Sequence, residues 1–238
     1  MRISKEDDFN MTKPKSKTEK KFTLTSPEVL EDCIAYFDFL PFFNNEVLGW
    51  SIEEKTPSSF WFTDAPGPWE WKGPIAREGN YLYGKFFKKR AGWVSRKVFG
   101  KFSQIRRTLP ASKNPRTALR EAWLLDYIRE VGSIITPDLK EPWAAEFGTL
   151  SGLETALANL QMRTDIVIVD FEYRHDRFGN PYGWGLARYM TPESFIGEDF
   201  LAEENLDTEA TLEELVSNLA KKLPKATPEI LKRLIAGK

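Results

Sequence analysis

The chain has 238 residues, with 34 Lys and Arg against 35 Asp and Glu, one cysteine and one histidine. That length suits one large domain or two small ones and buries roughly 70% of the unfolded surface. A single Cys33 excludes an internal disulfide and a thiolate metal cluster, and a single His175 excludes a His-pair zinc site. No apolar run approaches the ~20 residues of a membrane helix, so no membrane association is expected.

Residues 1–21 carry seven basic and four acidic side chains and no apolar h-region. They read as a disordered tail rather than a secretory signal, and the chain is expected to be cytoplasmic. Ser26-Pro27 starts a helix, with Ser as N-cap and Pro at the first helical position, that ends before Pro41. From Trp50 to Trp71 the chain is aromatic-rich, and Pro57, Pro66, Pro68 and Pro74 predict short pieces. Tyr81–Phe87 reads as a strand, 88–92 as a turn, Trp93-Val94 as a second extended segment, and Ser95 as the cap of a helix to about Arg107. The polar stretch 109–116, with two prolines, is the linker candidate.

Asn114-Pro115 begins the next helix, with Leu119, Trp123, Tyr127 and Val131 as its expected buried stripe. Thr136-Pro137 caps a second helix to Phe147, closed by Gly148. Ser151 and Glu154 have capping-box spacing for a third, which buries Leu153, Leu157 and Leu160. Asp165–Tyr173 is a strand, 174–181 a turn and Tyr182–Tyr189 the return strand, followed by a helical turn at Thr191-Pro192. Helices near Thr208 and at Thr227-Pro228 are expected to pack back on the body. The order from 114 to 192 is that of a winged helix-turn-helix. The fold class is therefore α+β: a winged unit packed with an N-terminal winged-helix-like, aromatic-rich region and C-terminal helices. The expected boundaries are 1–21, 22–110, 111–195 and 196–238.

The charge is unevenly spread. From Lys72 to Arg107 there are eleven basic residues against one acid, Glu78, whereas Glu193–Glu214 holds nine acids and no Lys or Arg. Cations interleaved with rings suit a nucleic-acid groove; a solvated face and pairing of the two stretches within the fold are the alternatives. The expected backbone contacts are Lys85, Lys88, Lys89, Arg90, Arg96, Lys97, Lys101, Arg106, Arg107, Arg163, Arg174 and Arg177, with DNA as partner. Thr155, Asn159 and Gln161 on the third helix offer polar groups to base edges. The acidic C-terminal region is a second candidate surface, for a protein partner.

No phosphate loop or dinucleotide fingerprint is present, and no cofactor is expected. Asp64, Glu70 and Glu78 are the carboxylates near the basic region. Glu70, between Trp69 and Trp71, or Asp64 is the acid/base candidate of an alternative, enzymatic reading.

The segments PWEWKGPIAREG (68–79), YGKFFKKRAGWVS (83–95), LETALANLQMRTDIVIVDF (153–171) and GNPYGWGLARYMTPES (179–194) resemble the bacterial AlkZ-related proteins, relatives of winged-helix DNA glycosylases of the AlkZ/YcaQ type. The resemblance implies winged helices, contact with DNA and a link to DNA repair. Those glycosylases carry Gln-x-Gln or Gln-x-Asp after their first helix. The comparable place here, Phe39-Leu40-Pro41-Phe42-Phe43, has neither, so no catalytic residue is carried over.

Overall fold

The computed structural model describes residues 20–61, 65–179, 181–201 and 207–238. The expected disordered tail, apart from Lys20 and Lys21, lies outside the described residues, as does Asp64.

The Ser-Pro signal works locally as anticipated. Ser26 Oγ accepts from Val29 N at 3.4 Å and starts α1 (Pro27–Phe37), which buries Leu30, Cys33, Ile34 and Phe37. It ends at Asp38, in the left-handed region at φ 65°, where the chain turns into β1 (Phe39–Pro41). A one-turn helix, α2 (Ile52–Lys55), follows. The expected breakage at Pro74 does not occur: α3 (Pro68–Arg77) runs through it. Pro68 occupies the first helical position, where no donor is needed, and Glu70 turns its carboxylate back to the Gly67 N–H at 2.8 Å. Pro74 is exposed, so one intrahelical bond is lost on the solvent side.

β2 (Tyr81–Phe87) and β3 (Arg90–Ser95) form a hairpin whose turn is shorter than the sequence suggests. Only Lys88 and Lys89 lie outside the strands, at φ 51° and 61°. Two successive positive φ angles match the right-handed twist of the strands, a geometry usually given to Asn-Gly. α4 (Arg96–Arg107) begins directly from β3.

In the second half, Asn114 caps α5 (Pro115–Val131) through a 3.2 Å bond from Thr117 N. Its face is not the expected one: Leu119 and Val131 are exposed, while Arg120, Glu121, Leu124 and Ile128 are buried. β4 (Ile134–Ile135) precedes α6 (Lys140–Phe147), which starts after the Thr136-Pro137 turn rather than at it and ends at a left-handed Gly148. α7 (Leu153–Met162) is preceded by Gly152 at φ 90°, and Ser151 makes no side-chain cap. The expected Leu153, Leu157 and Leu160 are its buried residues, with Ala156, Ala158 and Gln161. β5 (Val167–His175) and β6 (Pro181–Met190) make the second hairpin, and Thr191 caps α8 (Pro192–Ile196).

Each half therefore runs helix, strand, helix, helix, strand, strand. In each, the first strand pairs antiparallel with the last: β1 with β3, and β4 with β6. The halves then join edge to edge through β2 and β5, with Tyr83 opposite Ile168. The resulting six-stranded sheet, β1-β3-β2-β5-β6-β4, reads the same from either end. The sheet is continuous across the 109–116 linker, and one hydrophobic cluster takes residues from both halves. The third helix of each half also crosses over, α3 packing on β5 and α7 on β2.

The C-terminal helices α9 (Thr208–Ala220) and α10 (Pro228–Ala236) are capped by Asp207 and Thr227. They bury Leu212, Leu215, Val216, Leu219, Leu231 and Leu234, while Ile230 is half-buried. Both pack against α4. Among the described residues no helix is long and apolar enough to cross a membrane.

Candidate nucleic-acid interface

The basic stretch does not form one strip. Arg106 has no exposed surface. Its guanidinium donates to the carbonyls of Phe86 (2.6 Å), Met162 (3.1 Å), Leu234 (2.9 Å) and Ile235 (2.6 Å). The expectation that Arg106 contacts a phosphate is therefore corrected: it sits on the core-facing side of α4, and burial presses its pKa below the usual arginine range. Two neighbours meet the acidic stretch, Lys101 with Glu214 at 3.0 Å and Arg107 with Glu193 at 2.6 Å. Arg96 is exposed but donates to the Ile196 carbonyl at 2.8 Å. Pairing of the two charged stretches, the third of the sequence alternatives, is thus realised at these contacts.

At the β2–β3 turn, Lys88 and Arg233 both bind the Glu46 carboxylate, and Arg90 donates to the Asn44 carbonyl at 2.8 Å. Lys85 lies 3.9 Å from Glu154. Exposed Lys89 and Lys97 have side chains with no ion pair among the described residues. Arg163 is enclosed, bridging Glu121 at 2.6 Å and Asp165 at 2.7 Å.

The third helix of the second half does not present a reading face. Gln161 is buried, its Oε1 accepting from Lys85 N at 3.0 Å and its Nε2 donating to Leu157 O at 2.9 Å. Asn159 donates to Glu121 at 2.5 Å. Of the three polar residues expected to face bases, only Thr155 is exposed. Both third helices are spent on joining the halves.

The β5–β6 hairpin differs. Arg174, His175, Arg177 and Phe178 are all exposed. Phe178 leaves 73% of its surface in solvent, with the Arg177 guanidinium 4.7 Å from its ring. Neither arginine has an ion-pair partner among the described residues. Phe178 was not singled out from the sequence. The available signal was an aromatic residue inside a Gly- and Asn-containing turn, where no core is within reach.

The register sets the distance between the two basic turns. Because β2 and β5 are antiparallel about Tyr83 and Ile168, the 88–89 turn and the turn residues 176–179 leave the sheet at opposite ends. At ~3.3 Å per residue they stand on the order of 40 Å apart. Lys89 N accordingly sits 3.1 Å from Met162 Sδ, at the end of α7.

Glu70 is exposed and accepts from Gly67 N, a helix-starting role. Cys33 is buried in α1, and burial raises its thiol pKa to about 12, which suits its reading as core. No cluster of His, Cys, Asp and Glu able to hold a metal occurs among the described residues. A family model described as AlkZ related matches residues 24–236. No curated protein and no solved structure matches the chain.

Proposed function

The chain belongs to the AlkZ-related family, and from that premise we propose that it is a DNA-repair-linked protein of two fused winged helices that holds duplex DNA by its β5–β6 hairpin and performs no glycosylase step itself. The winged-helix reading rests on the repeated order of elements and on the first-to-last strand pairing in each half. In helix-turn-helix proteins a recognition helix enters the major groove. Here α3 and α7 are packed against the opposite half, so DNA contact falls to the hairpin. The carrying observation is that hairpin's tip: two exposed arginines with no ion pair among the described residues, one of them against a phenylalanine with 73% of its surface in solvent. Arginines there meet phosphates, and the ring has a free face for stacking.

The reading without catalysis is supported at residues 39–43. The place comparable to the glycosylase motif is buried Phe39, Leu40, Pro41 and Phe42 and half-buried Phe43, in and just after β1. It has no amide or carboxylate side chain to act on a base.

Fluorescence anisotropy with a labelled duplex, titrated at several salt concentrations, tests the proposal. The wild-type protein binds with an affinity that falls steeply with salt. Reversing both arginines, in R174E/R177E, lowers the slope of log affinity against log salt by about two. Equal slopes and affinities for the two proteins would remove the hairpin from the interface. Release of an alkylated base from such a duplex would instead establish the enzymatic alternative.

A further inference from the structure

Between α4 and α9 lies a cleft of about 410 Å³, bordered at one end by the α1–β1 junction at Asp38. That volume is in the range that small-molecule sites occupy. The two helices run antiparallel along it. Lys101 of α4 meets Glu214 of α9 at 3.0 Å. At the Asp38 end, Lys222, just past α9, meets one carboxylate oxygen at 2.9 Å, and Ser95, just before α4, donates to the other at 2.8 Å. One helical turn from the Lys101–Glu214 rung the ion pairing lapses. Lys97 stands on α4 where the facing position of α9 is Asn218, an amide in place of a carboxylate. Asn218 Oδ1 accepts from Lys221 Nζ at 3.1 Å. Lys97 and Lys221 are both exposed and form no ion pair among the described residues.

Three ammonium groups, Lys97, Lys221 and Lys222, thus share this end of the cleft with one carboxylate, an excess of two positive charges. A cleft with low-dielectric walls focuses such a field, and here the buried Leu215 and Leu219 form part of the wall. Lysine is a compact point charge on a flexible stem, suited to phosphate oxygens. We propose that the cleft binds the dianion of a small phosphate monoester, with Lys97 and Lys221 closing on its oxygens from α4 and from the end of α9. Such an ester carries close to two negative charges at neutral pH, which matches the excess. The cleft also has room for an organic group beyond the phosphate. The inference does not rest on the DNA reading, whose arginines lie on the β5–β6 hairpin.

The test is isothermal titration calorimetry of the full chain with phenyl phosphate. The wild-type protein is expected to bind at one site. Affinity should fall as salt is raised. It should also fall from about pH 7.5 to about pH 5, where the probe, with a second pKa of about 6, loses one charge. Lys97→Gln with Lys221→Gln changes two exposed side chains, so circular dichroism should be unchanged while affinity drops about ten-fold or more. Asn218→Asp supplies the missing carboxylate and should weaken binding as well. No binding by the wild type, or unchanged affinity in either variant, overturns the proposal. R174E/R177E should bind phenyl phosphate as the wild type does, whether or not the hairpin holds DNA; loss of binding there moves the anion to the hairpin and overturns the proposal. Displacement of the bound probe by an unphosphorylated duplex would assign the two lysines to a nucleic-acid backbone and overturn it likewise.

Discussion

Arg106 Nη2 donates to the carbonyl of Phe86 at 2.6 Å, joining α4 from inside the core to β2, the strand through which the first half meets the second. The same guanidinium takes the Met162 carbonyl at the end of α7 and the Leu234 and Ile235 carbonyls near the end of α10. Helix C-termini leave carbonyls without intrahelical donors and carry partial negative charge. One cation therefore serves two helix ends and a strand, with carbonyl dipoles in place of a carboxylate. Arg106→Met leaves four buried acceptors short of a donor and is expected to cost about 3–5 kcal/mol by urea denaturation. Arg106→Lys keeps the charge but not the fork, and should fall between. A wild-type denaturation midpoint for Arg106→Met would show that these carbonyls find other donors.

Glu121, with 1% of its side chain exposed, accepts from Asn159 at 2.5 Å and Arg163 at 2.6 Å, which fixes α5 to α7. Removing Arg163 strands a buried carboxylate, so Arg163→Ala is expected to destabilise by about 3 kcal/mol or more. The double variant Arg163→Ala with Glu121→Gln should recover part of that loss, because the stranded charge is gone. Additive losses in the double variant would show that the two side chains are not coupled.

This pair also explains where the sequence was legible and where it was not. Caps such as Ser26, Asn114, Thr191 and Thr227, each followed by proline, are local chemistry and read correctly. The face of α5 did not, because its inward positions include Arg120 and Glu121. Charged side chains inside and Leu119 outside invert the usual hydrophobic stripe. α3 was hidden by Pro74, whose cost falls on the solvent side. The joining of β2 to β5 rests on pairing between residues 83 and 168, and no local pattern encodes it. Half of the candidate site followed the same rule. Arg174 and Arg177 were readable as hairpin-tip residues, whereas the removal of Arg106 and Arg163 from the surface depended on long-range packing.

Gly152 precedes α7 at φ 90°, and a Cβ there would lie 2.6 Å from Arg120 Nη1. Arg120 is itself confined beside Trp143 and Phe147, at 5.7 and 5.3 Å from their rings. Gly152→Ala thus meets backbone strain and a crowded neighbour together, and should lose about 1–3 kcal/mol in thermal or urea unfolding. A stability equal to wild type would mean that Arg120 swings out without loss.

The two basic turns should behave differently toward DNA. Lys88 and Arg90 are tied to Glu46 and to the Asn44 carbonyl, and the turn stands far from the β5–β6 tip. Reversal of Lys88, Lys89 and Arg90 to Glu is expected to lower duplex affinity only through net charge, an effect that fades as salt is raised. R174E/R177E should reduce the salt slope itself. The opposite ranking would place the interface at the β2–β3 turn.

Lys72 also makes stability depend on pH in a predictable direction. Its pKa is about 8 in the folded chain, against about 10.4 for an ordinary unfolded lysine. Between those values the unfolded chain still holds the proton while the folded chain has released it. Stability therefore rises with pH across that window, by an amount on the order of 1–3 kcal/mol. Cys33 acts in the opposite sense: burial holds its thiol protonated up to about 12, whereas the unfolded thiol ionises near its ordinary value of about 8.5. Stability from that group is lost as pH rises above the unfolded value. The two windows overlap, so the wild-type curve alone separates nothing. Subtracting the curve of Lys72→Met, which retains Cys33, isolates the lysine. The difference, wild type minus variant, should increase steadily from about pH 7 to about pH 10. A flat difference would mean that Trp69, Phe171 and Glu70 together hold Lys72 as a permanent cation.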